Sequence, residues 1–235
     1  MTQGHIQARP LGELREIPPS RARLPRAPST RSLAKRERIV EVAMRHFADS
    51  GYQAARVEDI ASELGIAKGS VFQHFGSKQG LFLAAYKKAV TLLPAYLDCP
   101  PEVRTKGFFE IIEYWLGETP HLVREDWIPY RVTLLGNYAI DLELKREINR
   151  FLRTEDPYGT VAFVRHGIER GEVRTDMDFE MTLSMVDWLM EKFQDALVTQ
   201  ELDPGLFTRG GERTTSIQVR IDQFVKLLRR AIGRR

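Results

Sequence analysis

The side chains best suited to contact nucleic acid are concentrated in one short stretch, residues 68–74. Its polar members carry hydrogen-bonding groups that match phosphates and base edges: Lys68, Ser70, Gln73 and His74. Gly69 has no side chain and would let the backbone approach phosphates closely, and Phe72 offers a flat apolar surface to sugars or thymine methyl groups. The stretch predicts a DNA-contacting surface; the alternative is the solvated face of a short helix.

Two short helices joined by a glycine-containing turn would position these side chains. An apolar stripe predicts a helix from Val57 to Leu64, Gly65 interrupts it, and a second helix should run from Lys68 to His74. The residues expected to pack the two helices together are apolar: Ala61, Leu64, Ile66 and Val71. This spacing is typical of a helix-turn-helix.

The rest of the chain also has helical periodicity. A helix is expected from Leu33 to near Gly51, and another should follow the capping residue Ser77 and end at Pro94. Beyond Pro101 the predicted helices begin at Phe108 and then span residues 120–136, 140–153, 157–170, 176–200 and 214–232. The fold class predicted is all-α, with no convincing strand.

Residues 39–87 resemble the N-terminal domain of the TetR family of transcriptional regulators. The resemblance rests on the pattern G-x-x-x-x-x-V-x-x-I-A-x-x-L-G-I from Gly51, followed by G-S-V-F-Q-H-F-x-S-K from Gly69. It implies that the third helix lies in the major groove and that Lys78 contacts the phosphate backbone. Two positions depart from the family: Arg56 and Ala67 stand where capping threonine and serine are common, so both helices should lack side-chain caps. Arg56 could meet a phosphate or be simply exposed.

Charge and composition divide the chain into three predicted segments. Residues 1–38 contain nine basic and three acidic residues, which leaves a net charge of −3 for the remainder of a chain whose total is +3. A basic, proline-containing arm is predicted at residues 1–32, where it could enter a minor groove or be an idle tail. The DNA-binding domain is expected at 33–80, and a helical ligand-binding and dimerisation domain at 81–235.

The last two long helices carry apolar stripes that call for a partner. TetR-like proteins dimerise through such helices, so the resemblance implies a homodimer that binds a palindromic operator in double-stranded DNA. The residues assigned to the interface are apolar and lie on these two helices: Phe179, Leu183, Val186, Phe193, Leu197, Ile217, Ile221, Phe224 and Leu228.

The resemblance also implies a small-molecule inducer among the central helices, whose binding would favour a dimer with wrongly spaced recognition helices. Large rings with a few polar groups suggest an aromatic or acyl-chain ligand, although rings at helical spacing are more often core. The candidate residues combine these two kinds of side chain: Phe109, Trp115, Trp127, Tyr130, Arg131, Asn137, His166 and Trp188.

Other function classes find little support in the sequence. The five histidines show no metal-ligand spacing and no glycine loop could cradle phosphates, so we predict no catalytic residue, metal or cofactor. An all-helical enzyme, an inducer-independent DNA-binding protein and an activator remain as alternatives. Without a membrane span or secretory signal the expected location is the cytoplasm, and the single cysteine, Cys99, is expected to be a packed, inert thiol.

Overall fold

The computed structural model describes residues 29–234 except 140, 211 and 214, and most of these residues are helical, which confirms the all-α class. The helices have these bounds: α1, Thr30–Ala54; α2, Val57–Glu63; α3, Lys68–Phe75; α4, Lys78–Leu92; α5, Pro101–Lys106; α6, Phe108–Glu125; α7, Trp127–Asn137; α8, Leu142–Glu155; α9, Thr160–Glu169; α10, Phe179–Val198; α11, Ile217–Ile232. Most of the predicted arm, residues 1–28, lies outside the described residues.

Helix α1 begins three residues earlier than the sequence predicted, because Ser29 Oγ accepts a hydrogen bond from the Ser32 N–H (3.3 Å) and caps it. Gly51, at φ +75°, interrupts the helix near its end. Similarly, Ser77 Oγ caps α4 by accepting from the Gly80 N–H (3.0 Å), as predicted.

A first hydrophobic core joins α1 to α4 with α7 and α8. Tyr86 of α4 is fully buried in it, and Tyr86 Oη donates to Asn137 Oδ1 of α7 (3.0 Å). A Cβ at Gly136 would lie 2.4 Å from the Tyr86 ring, so only glycine lets α7 approach α4 this closely. The helix-turn-helix therefore packs as one unit with helices from the second half of the chain.

A second core lies around α6, which contacts α9, α10 and α11. Phe108 of α6 stacks on Phe163 of α9 with ring centroids 4.3 Å apart. Cys99 is buried at the edge of this core, as expected, and burial raises the pKa of its thiol. Within the described residues no helix is long and apolar enough to cross a bilayer.

Three local features differ from the sequence prediction. Helix α6 continues through Pro120 to Glu125, so the helix predicted over residues 120–136 begins later, as α7 at Trp127. Proline costs an interior helix one hydrogen bond, and here the apolar face of α6 keeps the helix in the second core. The short α5 was not predicted. The loop at 203–213 contains a two-residue antiparallel pairing, Thr208–Arg209 (β1) with Glu212–Arg213 (β2), because the Asp203 carboxylate accepts several backbone N–H groups just before it.

Candidate nucleic-acid interface

Helices α2 and α3 form the predicted helix-turn-helix. Gly65 has φ +63°, a left-handed conformation that suits glycine, and the Ile66 N–H donates to the Ala61 carbonyl (3.0 Å) to close the turn. Val71 of α3 is fully buried against the first core. One face of α3 is thereby fixed inside the protein, and the opposite face is free.

The free face of α3 carries the residues singled out from the sequence. Lys68, Gly69 and Gln73 are exposed, whereas Ser70, Phe72 and His74 are half-buried. A Cβ built at Gly69 meets no atom of the described residues within 4 Å, so their packing does not require the absence of a side chain there. Space at this position is therefore free for an external surface to approach the α3 backbone.

Lys68 is held by two neighbours on this surface. Lys68 Nζ lies 2.5 Å from Glu58 Oε1 of α2 and 5.3 Å from the centre of the Phe72 ring. The hydrogen bond from Lys68 lowers the pKa of Glu58. Both side chains are about half exposed, so water and salt screen the pair, and a phosphate or base could replace Glu58 at small cost.

Lys78 and Arg56 lie at the two ends of the motif. Lys78 Nζ donates to the Gln53 carbonyl (3.0 Å), sits 5.0 Å from the Tyr52 ring centre, and has its pKa lowered by burial. Lys78 is the first residue of α4, and its side chain hydrogen-bonds the last turn of α1. Arg56 is exposed, and neither it nor Ala67 makes a side-chain cap, which confirms the prediction that α2 and α3 lack one.

Two basic residues at the start of α1 also reach α3, and sequence reasoning had only counted them in the charge of the basic end. Lys35 Nζ donates to Ser70 Oγ (2.8 Å), and the Arg36 guanidinium lies 4.9 Å from the centre of the Phe75 ring. Both side chains are exposed. These two residues widen the basic surface beside α3. The sequence alone could not show this, because it depends on how α1 lies against α3.

The predicted ligand residues do not come together in one place. Phe109 and Trp115 are buried in the second core, and the Trp115 indole N–H donates to the Tyr96 carbonyl (2.7 Å). Trp188 is 61% exposed on α10. The other aromatic and polar candidates are also dispersed. Trp127 is about half exposed beside Tyr130 and Arg131 of α7. Asn137 accepts the hydrogen bond of Tyr86 at the first core, and His166 has a buried Nε2 without a hydrogen-bond partner among the described residues.

A cluster that the sequence analysis missed lies between α10 and the first core. Asp187, Glu191 and Asp195 follow one another at four-residue spacing, so they share one face of α10. Tyr130 and Tyr138 donate to Asp195, and the charges of these carboxylates add to burial in raising the pKa of Tyr86, Tyr96 and Tyr158. Five of the seven tyrosines of the chain are thus associated with this face of α10. We refer to these eight residues as the acid–tyrosine cluster. Carboxylates repeated every four residues inside an apolar helix were the signal that could have found it.

The carboxylates of the acid–tyrosine cluster are poorly solvated. Burial raises the pKa of Asp187 and of Asp195 to about 6, against hydrogen bonds that lower it. Asp195 Oδ2 accepts from Tyr138 Oη (2.9 Å), and Asp187 Oδ1 accepts from Thr160 Oγ1 (2.8 Å). Glu191 pairs with Lys192 at 2.7 Å. Negative charge therefore accumulates inside the protein at this point.

The residues predicted to form a dimer interface divide into two groups. Four are buried within the second core and have no surface to offer: Val186, Phe193, Ile221 and Leu228. The other five are half-buried: Phe179, Leu183, Leu197, Ile217 and Phe224. The large apolar residues exposed on the same two helices are different ones: Met181, Trp188 and Leu189 on α10, and Val219 and Leu227 on α11.

Known proteins share both the motif and the fold. Residues 39–85 match the family model described as "Bacterial regulatory proteins, tetR family". The HTH-type transcriptional repressor AcnR of Corynebacterium efficiens is 28% identical over 171 residues, which cover 73% of this chain and 86% of that relative. The likeness therefore extends well beyond the helix-turn-helix.

Solved structures show the same helical architecture. FadR from Bacillus subtilis in complex with stearoyl-CoA has a TM-score of 0.58 at 19% identity, covering 82% of this chain and 96% of that one. A transcriptional regulator from Saccharomonospora viridis in complex with choline has a TM-score of 0.53 at 23% identity, covering 86% and 100%. Residues 39–85 therefore match the TetR family of bacterial regulatory proteins, and the described residues share the fold of these solved structures.

Proposed function

We propose that this chain is a sequence-specific repressor that reads a DNA operator through α3 and releases it when a small molecule binds. The observation that carries the proposal is the free face of α3, where Lys68, Gly69 and Gln73 are exposed while Val71 anchors the helix. A helix held in this way can enter the major groove without unfolding. Because its target is bacterial DNA, it would act in the cytoplasm.

The contacts would divide between reading and positioning. Gln73 carries an amide able to pair with a base edge, and Lys68 can reach a guanine or a phosphate after leaving Glu58. Lys35, Arg36 and Arg56 are exposed around the motif and would contact phosphates, which position the protein without carrying sequence information. Lys78 would add a phosphate contact at the start of α4, and Ser70, Phe72 and His74 would line the edge of the groove.

A second copy of the chain is the partner that fits the outer faces of α10 and α11. Met181, Trp188 and Leu189 expose apolar surface on α10, and Val219 and Leu227 do so on α11. A two-fold dimer would bury these patches against each other and present two α3 helices to a palindromic operator. We therefore assign the interface to these exposed residues together with the half-buried ones predicted from the sequence.

Release would be transmitted through α4. Tyr86 lies in the first core and donates a hydrogen bond to Asn137 of α7. Burial raises the pKa of its phenol well above the usual value, and the charges of Tyr158 and Glu191 raise it further. Helix α4 directly follows α3, so a ligand that moved Tyr86 would shift the recognition helix as well. The change would favour a dimer whose α3 helices no longer match successive grooves.

The experiment compares binding to the chain's own upstream DNA with binding to random DNA of equal length at one physiological salt concentration. Lys68→Ala with Gln73→Ala should lower specific affinity about 100-fold, since each removes about 1–3 kcal/mol of readout. The matched control, Lys106→Ala with Gln200→Ala, removes the same two residue types at exposed positions far along the chain. Equal, weak binding to both DNAs would instead favour a nonspecific DNA-binding protein.

A promoter-reporter assay separates repression from activation. Placing the bound DNA between promoter and reporter should lower expression when the chain is present, and an increase would identify an activator. Turnover of any bound small molecule would point to the enzyme alternative.

A further inference from the structure

The nature of the small molecule depends on this chain's own residues, since structures of the same fold hold ligands as different as stearoyl-CoA and choline. The acid–tyrosine cluster contains groups whose hydrogen-bonding capacity the described residues do not satisfy. Within the described part of the chain Asp187 accepts a single hydrogen bond, from Thr160 Oγ1, although a carboxylate can accept about four. A poorly solvated carboxylate with so few partners is costly to keep inside a protein.

Two phenol groups beside Asp187 are also unsatisfied. Tyr96 and Tyr158 are surrounded by protein, and neither hydroxyl has a hydrogen-bond partner among the described residues. Burial, and then the charges of Asp187 and Glu191, raise the pKa of both phenols. The Tyr96 N–H donates to the Tyr158 carbonyl (3.0 Å), two residues before the Thr160 that bonds Asp187, so these residues are neighbours in the fold. Each ring nevertheless keeps accessible surface, and neither hydroxyl is sealed as the His166 Nε2 is. Accessible surface on side chains so closely surrounded by protein indicates space beside them.

The positive charges nearby are engaged elsewhere. Lys192 Nζ pairs with Glu191 and donates to Tyr138 Oη (3.1 Å), and Lys145 Nζ donates to the Asn137 carbonyl (2.7 Å). The Asp156 carboxylate near Asp187 accepts from the N–H groups at the start of α9, which adds negative charge instead of removing it. Asp187 therefore lacks a cationic partner in the described part of the chain.

We propose that the acid–tyrosine cluster binds a compact organic ammonium ion, with its positive charge against Asp187 and beside Tyr96 and Tyr158. A carboxylate supplies the counter-charge, and tyrosine rings attract cations through their electron-rich faces. Asp187 and Asp195 lie eight residues apart on α10, about 12 Å along the helix, and no group of the described carboxylates could hold a metal ion. An acyl-chain carboxylate, one of the ligand types expected from the sequence, would meet repulsion at this position.

The inference rests on the proposed function only in treating the cluster as the ligand site, and binding can be measured without DNA. Calorimetry on the full chain would compare benzylamine, tetramethylammonium and phenyltrimethylammonium with uncharged benzyl alcohol and the anions benzoate and decanoate. The ammonium ions should bind, and the uncharged and anionic compounds should not. Comparable binding of benzyl alcohol, benzoate or decanoate would overturn the inference, and so would a failure of every ammonium ion to bind at millimolar concentration.

Variants assign the binding to this cluster. Asp187→Asn should weaken ammonium binding at least about tenfold, whereas Glu169→Gln, which removes an exposed carboxylate of α9, should leave it unchanged. Tyr158→Phe should weaken the binding of benzylamine, which can donate a hydrogen bond to the phenol oxygen, more than the binding of tetramethylammonium, which cannot. If circular dichroism shows Asp187→Asn to be misfolded, Tyr158→Phe alone tests the site. Undiminished binding in both variants would refute the site.

DNA binding provides an independent readout. An ammonium ion that binds the wild-type chain and releases it from its operator supports both proposals. One that binds through Asp187 but leaves the operator complex intact supports the ligand class and contradicts the release step of the proposed function.

Discussion

Helices α3 and α10 distribute their residues in opposite ways. Helix α3 buries Val71 and exposes Lys68 and Gln73, the usual arrangement for a helix at a protein surface. Helix α10 turns its row of carboxylates, Asp187 among them, toward the interior and exposes Trp188. The first pattern serves contact with a polar polyanion, and the second is costly unless both faces of α10 have partners.

In the two proposals one helix serves two interactions at once: the inner face of α10 binds a cation, and its outer face binds a second copy of the chain. A ligand bound on the inner face would then influence how the outer faces pair, which would connect the acid–tyrosine cluster to the spacing of the α3 helices.

The largest effect is expected at the outer face of α10 and α11. Trp188→Ala with Leu227→Ala should weaken dimerisation at least about 100-fold in analytical ultracentrifugation, since large exposed side chains of this kind dominate interfaces. Leu142→Ala is the control, because Leu142 is 73% exposed but lies on α8. Dissociation caused by the control alone would assign the interface to another surface.

The buried face of α3 should show the next largest effect. Val71→Ala should lower the free energy of unfolding by about 2 kcal/mol, because it removes two methyl groups from a fully buried site. Gln73→Ala on the exposed face of the same helix should change stability by less than about 0.5 kcal/mol. Urea denaturation measures both, and equal losses would show that α3 is packed differently.

The inner face of α10 should make stability depend on pH. The pKa of Asp187 is raised from 3.8 to about 6 in the folded protein, so the folded state retains a proton that the unfolded state releases between pH 4 and 6. The contribution of Asp187 to the free energy of unfolding therefore falls as the pH rises through that window and is constant above it. Asp187→Asn should therefore raise the free energy of unfolding by about 1–2 kcal/mol at pH 7.5 and leave it unchanged at pH 3.5. Destabilisation at pH 7.5 would show that the carboxylate is better satisfied than the structure indicates.

Among the four main variants, Gly69→Ala should change stability least, and this variant separates the effect on folding from the effect on DNA binding. Gly69→Ala should raise stability by about 0.5–1 kcal/mol, because the added methyl group meets no atom and alanine favours the helix. Operator affinity should fall, since the methyl group would lie between α3 and DNA. Gly117→Ala, at another open helical position, should give the same gain in stability without affecting DNA binding. Unchanged affinity in Gly69→Ala would remove the close backbone approach from the proposal.

Local patterns predicted the helix-turn-helix well, because neighbouring residues determine its turn and its helices. Gly65 marks the turn, and Ser77 marks the start of α4. The contribution of Lys35 and Arg36 could not be predicted, since it depends on how α1 crosses α3 in three dimensions. The specific DNA contacts remain predictions.

The larger part of the chain was less predictable because an apolar stripe does not say what covers it. The apolar stripes of α10 and α11, which contain Val186 and Ile221, pack into the core of their own chain. The exposed apolar residues of the same two helices are therefore the ones available to a partner. Ring size was a similarly weak guide to the ligand, since Phe109 and Trp115 fill the core. The carboxylate spacing on α10 carried more information than the aromatic residues did.

The close fit of Tyr86 against Gly136 also bears on protein engineering. A hybrid regulator joined at the end of the sequence motif, near residue 80, would cut α4 close to its start and separate α1 to α3 from the residues of α4, α7 and α8 that complete the same hydrophobic core. A transplanted module should therefore extend through α4 and include the Gly136 side of the Tyr86 contact, so that it keeps both its solubility and its response.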